Sequence, residues 1–312
     1  MRIKKLISIL LSAAVLAGLF AGCAKPEDDD RLKVICTLFP QYDFVRAIAG
    51  DNVNAELLLK PGEEPHGYVP NSKTLAGIAA CDLFIYANDY AEPWVAEKLD
   101  AIKRKKASVL NACEGVIFDM NLSHDEHSHD EGETHKHTYE PHVWILPENA
   151  AIMADNISAK LCALDPDNAA LYQTNTAMYK TKLTELDNGF RDAVQNGKRK
   201  IIIMGDRFNL QYFVMEYGLA YLAALSSCSE KSEPDDAVTA KLIDAVKAQG
   251  IPAVFYRELS DKKTAQKISA ATGAQMLLFH GCENLSEEET LAGETYLSLM
   301  GGNLENLRVA LG

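Results

Sequence analysis

The sequence predicts an α/β protein: two α/β lobes with mostly parallel sheets, joined by one long rigid helix, with a cleft between the lobes. Three observations predict it. Short apolar runs alternate with helical stretches from Leu32 to Asn111, the pattern of strands joined by crossover helices. The same alternation resumes after Lys198. Between them Tyr172, Thr176, Tyr179, Leu183, Leu186, Phe190 and Ala193 recur at alternating steps of four and three, one stripe of a single helix. A helix of about 28 residues at 1.5 Å rise per residue spans roughly 40 Å, the width of a whole domain, so it suits a spine between two halves.

In order, "LKVICTL" reads as a strand, Gln41 to Ala49 as a helix and "VNAELLL" as a strand. Asn71 to Ala80 reads as a helix, "DLFIYA" as a strand, Trp94 to Lys103 as a helix and "ASVLN" as a strand. Polar sequence without periodicity follows from Asn121 to Thr138, a loop by composition. Pro147 is well placed to start a helix, and "LDPDN" breaks and restarts it before the long stripe. Then come the strand "RKIIIM", a helix from Phe208 to Tyr217, the strand "LAYLAAL" and a helix from Asp235 to Gln249. The strand "PAVFYR", a helix from Lys262 to Ala271 and the strand "AQMLLFH" follow. A last helix covers Glu287 to Leu311, with an interruption possible at Gly301-Gly302. No internal repeat is strong enough to assign, although the halves share an architecture. The lobes so defined are 32–146, which includes the loop 121–138, and 199–312, with 147–198 as the helical region between them.

The first residues read as an address. Arg2, Lys4 and Lys5 precede an apolar run from Leu6 to Leu19, too short to span a bilayer comfortably. "FAGC" then looks like a lipobox, which makes 1–22 a lipoprotein signal peptide, Cys23 the lipidated residue and 23–31 a charged tether. The chain is expected outside the cytoplasm, lipid-anchored to the outer face of a bacterial cytoplasmic membrane. The mature part of about 290 residues, in a chain of 47% hydrophobic content, can build two domains with real cores. The net charge of −13 argues against nucleic acid and against a polybasic membrane contact. Setting Cys23 aside leaves six Cys, none in a CxxC spacing; Cys228–Cys282 is the leading candidate for a disulfide.

Six of the eight histidines lie in "NLSHDEHSHDEGETHKHTYEPHVW". Five of them, His124, His127, His129, His135 and His137, sit among acids and suit weak, fluctuating metal capture. His142 is different in kind, placed between that loop and a helix start. His66 follows a strand in a turn made by Pro61, Gly62 and Pro65. His280 ends the strand "AQMLLFH". All three stand at loop edges, where open α/β sheets bind ligands, and neutral imidazole is the common nitrogen ligand of zinc. A metal site in the interlobe cleft is therefore expected.

The strings "PGEEPHGYVPN", "YEPHVWILPENA", "RFNLQYFVMEYGL", "PAVFYREL" and "ETYLSLMGGNLENL" fall in the order found in the metal-binding lipoproteins of bacterial ABC importers for zinc and manganese. Over nearly the whole mature chain the sequence resembles this family, the cluster A-I solute-binding proteins, in its zinc type with a His-rich loop. The resemblance implies a buried metal site between two lobes and delivery of the ion to an ABC permease and its ATPase. It implies His66 and His142 as ligands. The family's next histidine matches Gly205, which has no side chain, and its acid after the last strand matches His280. Asp206 is the first candidate to fill the gap, against a reading as a helix N-cap; Glu258, water or a loop histidine are the others. Glu258 reads best as a partner orienting a ligand histidine. The expected ligand set is His66, His142, His280 and Asp206, and the expected cargo is Zn2+, with manganese or iron as alternatives. A monomer is expected. No HExxH, GxSxG or phosphate loop occurs, which leaves a zinc hydrolase, like a surface adhesin, as a minor alternative to a binding protein.

Overall fold

Strands β1 (Leu32–Cys36), β2 (Val53–Leu57), β3 (Leu83–Tyr86) and β4 (Ser108–Asn111) form a parallel sheet in the order β2-β1-β3-β4. Strands β5 (Ile201–Arg207), β6 (Ala220–Leu225), β7 (Ala253–Tyr256) and β8 (Gln275–Leu278) form a second, in the order β6-β5-β7-β8. These come from a computed structural model, which describes residues 30–103, 106–118, 140–226 and 234–312. The two strand orders are one permutation, so the halves repeat a topology that their residues do not reveal. In each, the chain changes direction across the sheet beside its first strand, where a crevice opens beyond the strand ends. Segment β3 shows why the strands read as continuous apolar runs: all four of its residues are buried, as expected for a parallel strand covered on both faces.

The helices are α1 (Phe39–Ala49), α2 (Ser72–Ala80), α3 (Pro93–Lys103), α4 (Pro147–Leu164), α5 (Ala169–Asn196), α6 (Gln211–Glu216), α7 (Asp236–Gln249), α8 (Lys263–Thr272), α9 (Glu287–Ala292) and α10 (Tyr296–Leu311). Their starts follow local chemistry. Asn71 accepts the Thr74 amide at the head of α2, and Asp235 accepts the Ala237 amide at the head of α7. Pro147 opens α4.

The spine is α5, 28 residues long, and all seven stripe residues are buried. It packs on α4, on α1 from the first half and on α10 from the end of the chain. One apolar core follows it without a break, from Phe44 through Tyr179 and Phe190 to Phe213, Phe255 and Phe279. Phe190 meets Phe213 edge-on at 4.9 Å between ring centres. Two smaller cores lie under the outer helices, around Phe84 and Trp94 in the first half and around Val254 and Ile268 in the second.

The last helix breaks earlier than its glycines suggest. Gly293 takes φ +72 at the end of α9, and Thr295 caps α10 in a reciprocal box with Ser298. Gly301 and Gly302 stay helical. A left-handed glycine followed by a capping box defines a boundary, whereas interior glycines only weaken a helix that tertiary packing holds. Of the expected disulfide pair, Cys228 lies outside the described residues, and Cys282 is a free, buried thiol. The leader with Cys23 and the loop histidines 124–137 also lie outside them. No described helix is long and apolar enough to cross a membrane.

Candidate metal centre

Three side chains converge between the sheets. His66 comes from the loop between β2 and α2. His142 comes from the segment before α4, at the lip of a 3₁₀ turn over Val143–Ile145. Glu283 comes from the segment after β8. His66 Nε2 lies 3.0 Å from Glu283 Oε2, His142 Nε2 lies 3.2 Å from Glu283 Oε1, and the two Nε2 atoms are 3.4 Å apart. Among the described residues they alone form a group of three or more His, Cys, Asp or Glu whose ligand atoms all lie within 4.8 Å of one another. The side chains of His142 and Glu283 are 1% and 3% exposed, and that of His66 is 20% exposed. His66 is thus the edge open to solvent, beside a cleft of about 480 Å³ lined by Lys60, Glu63, Glu64 and Tyr68.

Protonation at this centre is set by its surroundings. His142 Nδ1 meets Glu140 Oε1, which orients the ring so that Nε2 faces the other two groups. Arg257 Nη2 donates to Glu283 Oε1 at 2.7 Å, and Asn209 Nδ2 donates to the same oxygen at 3.0 Å. Burial alone would push the Glu283 carboxyl up, but Arg257 and the His142 and His66 imidazoles outweigh it and hold the group well below the usual carboxylate range. The site therefore presents an ionised carboxylate and two imidazole nitrogens to one small volume. A cation resolves that convergence.

Backbone bonds across the cleft fix the distance between the two halves of the site. Phe39 N donates to Glu283 O at 3.1 Å and Gly62 N to Leu285 O at 2.7 Å. Trp144 Nε1 donates to Gly281 O at 2.9 Å, and Asn284 Nδ2 reaches the carbonyls of Lys60 and Glu63 at 2.7 and 2.9 Å. The segment from Gly281 to Leu285 is thus stitched to the half that carries both histidines.

Of the four expected ligands, the structure brings His66 and His142 together and places His280 and Asp206 elsewhere. His280 is buried, and its ring nitrogens face Cys282 and Glu289, not the other two histidines. Nδ1 accepts the Cys282 amide at 2.9 Å, and Nε2 faces Glu289 Oε1 at 3.4 Å. Its backbone is clamped by Asn303, which accepts from its N at 2.7 Å and donates to its O at 2.8 Å. Strand β8 stops at Leu278, two residues short of His280, and Cys282 then adopts φ +59. That left-handed turn, costly for a residue with a Cβ, carries the chain round so that Glu283 faces the histidines. The acid that faces the two histidines is Glu283, three positions beyond His280, the position that the resemblance matches to the family's acid.

Asp206 lies in β5, with Oδ1 on the Arg207 amide at 2.8 Å and Oδ2 facing the Arg257 amide at 3.4 Å. It tethers β5 to the end of β7. Nor is it an N-cap, since α6 begins at Gln211 behind Leu210. Arg207 pairs with Glu64 at 3.4 Å. Glu258 accepts the Gly281 amide at 2.7 Å and lies 3.7 Å from His280 Nδ1, so it supports the turn that bears Glu283. Gly205 is no vacancy. A Cβ there would meet Cα, Cβ and N of Ala265 at 2.8, 2.9 and 3.0 Å. Helix α8 has closed over the position, and no side chain fits without moving its backbone.

The fold and the centre define a class: a two-sheet solute-binding protein whose halves meet over a small polar site. A family model described as "Zinc-uptake complex component A periplasmic" (ZnuA) matches residues 34–310, and the chain belongs to that family. The chain is 34% identical over 306 residues to the zinc-binding lipoprotein AdcA of Streptococcus pneumoniae, covering 97% of this chain and 60% of that protein. It thus spans about three fifths of the AdcA proteins it matches. It is 32% identical over 284 residues to the high-affinity zinc uptake system protein ZnuA of Bacillus subtilis, covering 90% of this chain and 88% of that one. The Zn(II)-bound ZnuA-like domain of Streptococcus pneumoniae AdcA superposes with a TM-score of 0.75 at 30% identity, over 90% of this chain and 99% of the domain. The metal-dependent lipoprotein YcdH of Bacillus subtilis gives 0.76 at 29% identity, over 90% and 99%.

Proposed function

We propose that this chain captures zinc outside the cytoplasm and delivers it to an ABC permease and its ATPase, held at the membrane by lipid on Cys23. The observation that carries the reading is the convergence of three side chains: His66 Nε2 lies 3.0 Å from Glu283 Oε2, His142 Nε2 lies 3.2 Å from Glu283 Oε1, and the two Nε2 atoms are 3.4 Å apart. Ligands about 2.0–2.1 Å from a tetrahedral zinc stand about 3.3–3.4 Å from one another, so one ion fits with small side-chain shifts. Membership of a zinc-uptake family and the printed names of the relatives support zinc as the cargo. Two imidazoles and one carboxylate also suit zinc better than manganese, which prefers a shell of oxygens. Glu140 keeps His142 in the binding tautomer, the orienting role that a second carboxylate plays at many zinc sites. The fourth position falls to water or to a histidine of the stretch 121–138, whose five imidazoles suit weak capture of ions.

Native mass spectrometry with zinc and manganese on four proteins tests the assignment. Wild type is expected to retain one zinc and no manganese. His142→Ala and Glu283→Gln should each weaken zinc at least a hundredfold, whereas His280→Gln should still retain one ion. A Glu283→Gln protein that keeps its zinc, beside a His280→Gln protein that loses it, would overturn the ligand set.

A further inference from the structure

We propose that Arg257 determines how tightly the site keeps its ion, acting as a fixed internal cation that favours release. The inference rests on the zinc reading above. Arg257 is the first residue beyond β7, and its side chain is 6% exposed. Its guanidinium is 2.7 Å from Oε1 of Glu283, the one carboxylate among the three converging ligands. Asn209 donates to the same oxygen. With two donors on Oε1, Glu283 offers the metal its other oxygen, Oε2, the one that faces His66.

Two consequences have the same sign. In the empty site, Arg257 neutralises a carboxylate that burial would otherwise leave costly, which stabilises the metal-free state. In the loaded site, the same positive charge stands a few ångströms from a dication in a poorly solvated interior, where charges interact strongly. Both lower the affinity for zinc. The geometric contribution of Arg257, holding Glu283 in place, is shared with Asn209 and with the backbone bond from Phe39 to Glu283 O. Removing the charge while keeping a donor should therefore strengthen binding. A receptor that must hand over its cargo gains from such a brake on affinity, and neither imidazole could supply it, since both are ligands.

The test measures zinc dissociation constants by chelator competition, and the rate of zinc loss to excess chelator, for wild type, Arg257→Gln and Arg257→Lys. Arg257→Gln keeps an N–H donor without the charge; it should bind about tenfold tighter and lose zinc correspondingly more slowly. Arg257→Lys keeps the charge and should stay within about threefold of wild type. A folded Arg257→Gln protein that binds zinc no tighter than wild type overturns the proposal. So does a folded Arg257→Lys protein weakened more than tenfold, which decides the matter if Arg257→Gln does not fold. Wild type that retains no zinc would instead sink the zinc reading itself.

Discussion

Glycine 205 shows how a single missing side chain can be misread. In the resemblance it marks a lost ligand; in the fold it marks a contact, because the backbone of α8 at Ala265 lies where a Cβ would go. Gly205→Ala should therefore cost about 2 kcal/mol or more of stability, in the range of overpacked cores, with zinc stoichiometry unchanged. Urea unfolding of the metal-free protein measures it, and a neutral substitution would refute the contact. Glu92 is a second residue with a measurable signature. It is buried, its Oε2 accepts the Ala87 amide at 2.6 Å, and burial pushes its carboxyl up to about 7. The folded state then holds a proton that the unfolded state releases above about 4.5. The sign follows: the contribution is complete below that unfolded value and is lost as pH rises to about 7, at most about 3 kcal/mol. Asp43, which burial pushes up to about 6, adds to the same window. Stability should fall between pH 5 and pH 7, and Glu92→Gln should flatten the upper part of that slope. An unchanged slope in Glu92→Gln would show that the proton sits elsewhere.

At the scale of elements, the segment after β8 does the positioning. The strand ends early, the chain turns through Cys282 at φ +59, and the next three residues bond across to Phe39, Lys60, Gly62 and Glu63. Trp144 adds a bond to Gly281 O. Trp144→Phe removes that bond and keeps most of the buried ring. The expected result is zinc loss to chelator some three- to tenfold faster, roughly the worth of one buried hydrogen bond, with circular dichroism unchanged. An unaltered release rate would mean that the remaining stitches suffice. This segment also explains what sequence reasoning missed. An acid close behind the last strand is the signal the sequence offers, but the apolar run of that strand continues through Phe279 up to His280. A strand two residues shorter than that run, followed by the turn at Cys282, brings Glu283 and not His280 to face the histidines.

For the whole molecule, the halves meet over a site built from both, so the proposed ligand should stabilise the complete body. Binding to the native state alone adds RT ln(1 + [L]/Kd), about 2.7 kcal/mol at a hundredfold excess over Kd. Zinc should raise the unfolding temperature of wild type and should do so less as pH falls through the imidazole range, because ligands must be deprotonated to bind. Calorimetry with and without zinc at pH 5 and pH 7.5 checks both. An equal shift at the two pH values would exclude imidazole ligation.

The sequence by itself determined the local matters: the α/β alternation, nearly every helix start, and the stripe of the spine from Tyr172 to Ala193. It also singled out His66 and His142 from the loop histidines. These are legible because periodicity, capping and turn chemistry act over a few neighbouring residues. Only the tertiary structure decided that Glu283 rather than His280 faces those histidines, that Asp206 serves strand pairing, and that Gly205 is closed by α8. Each depends on segments more than fifty residues apart approaching within a few ångströms. Such approaches follow from how whole elements pack, and no short window of residues records them.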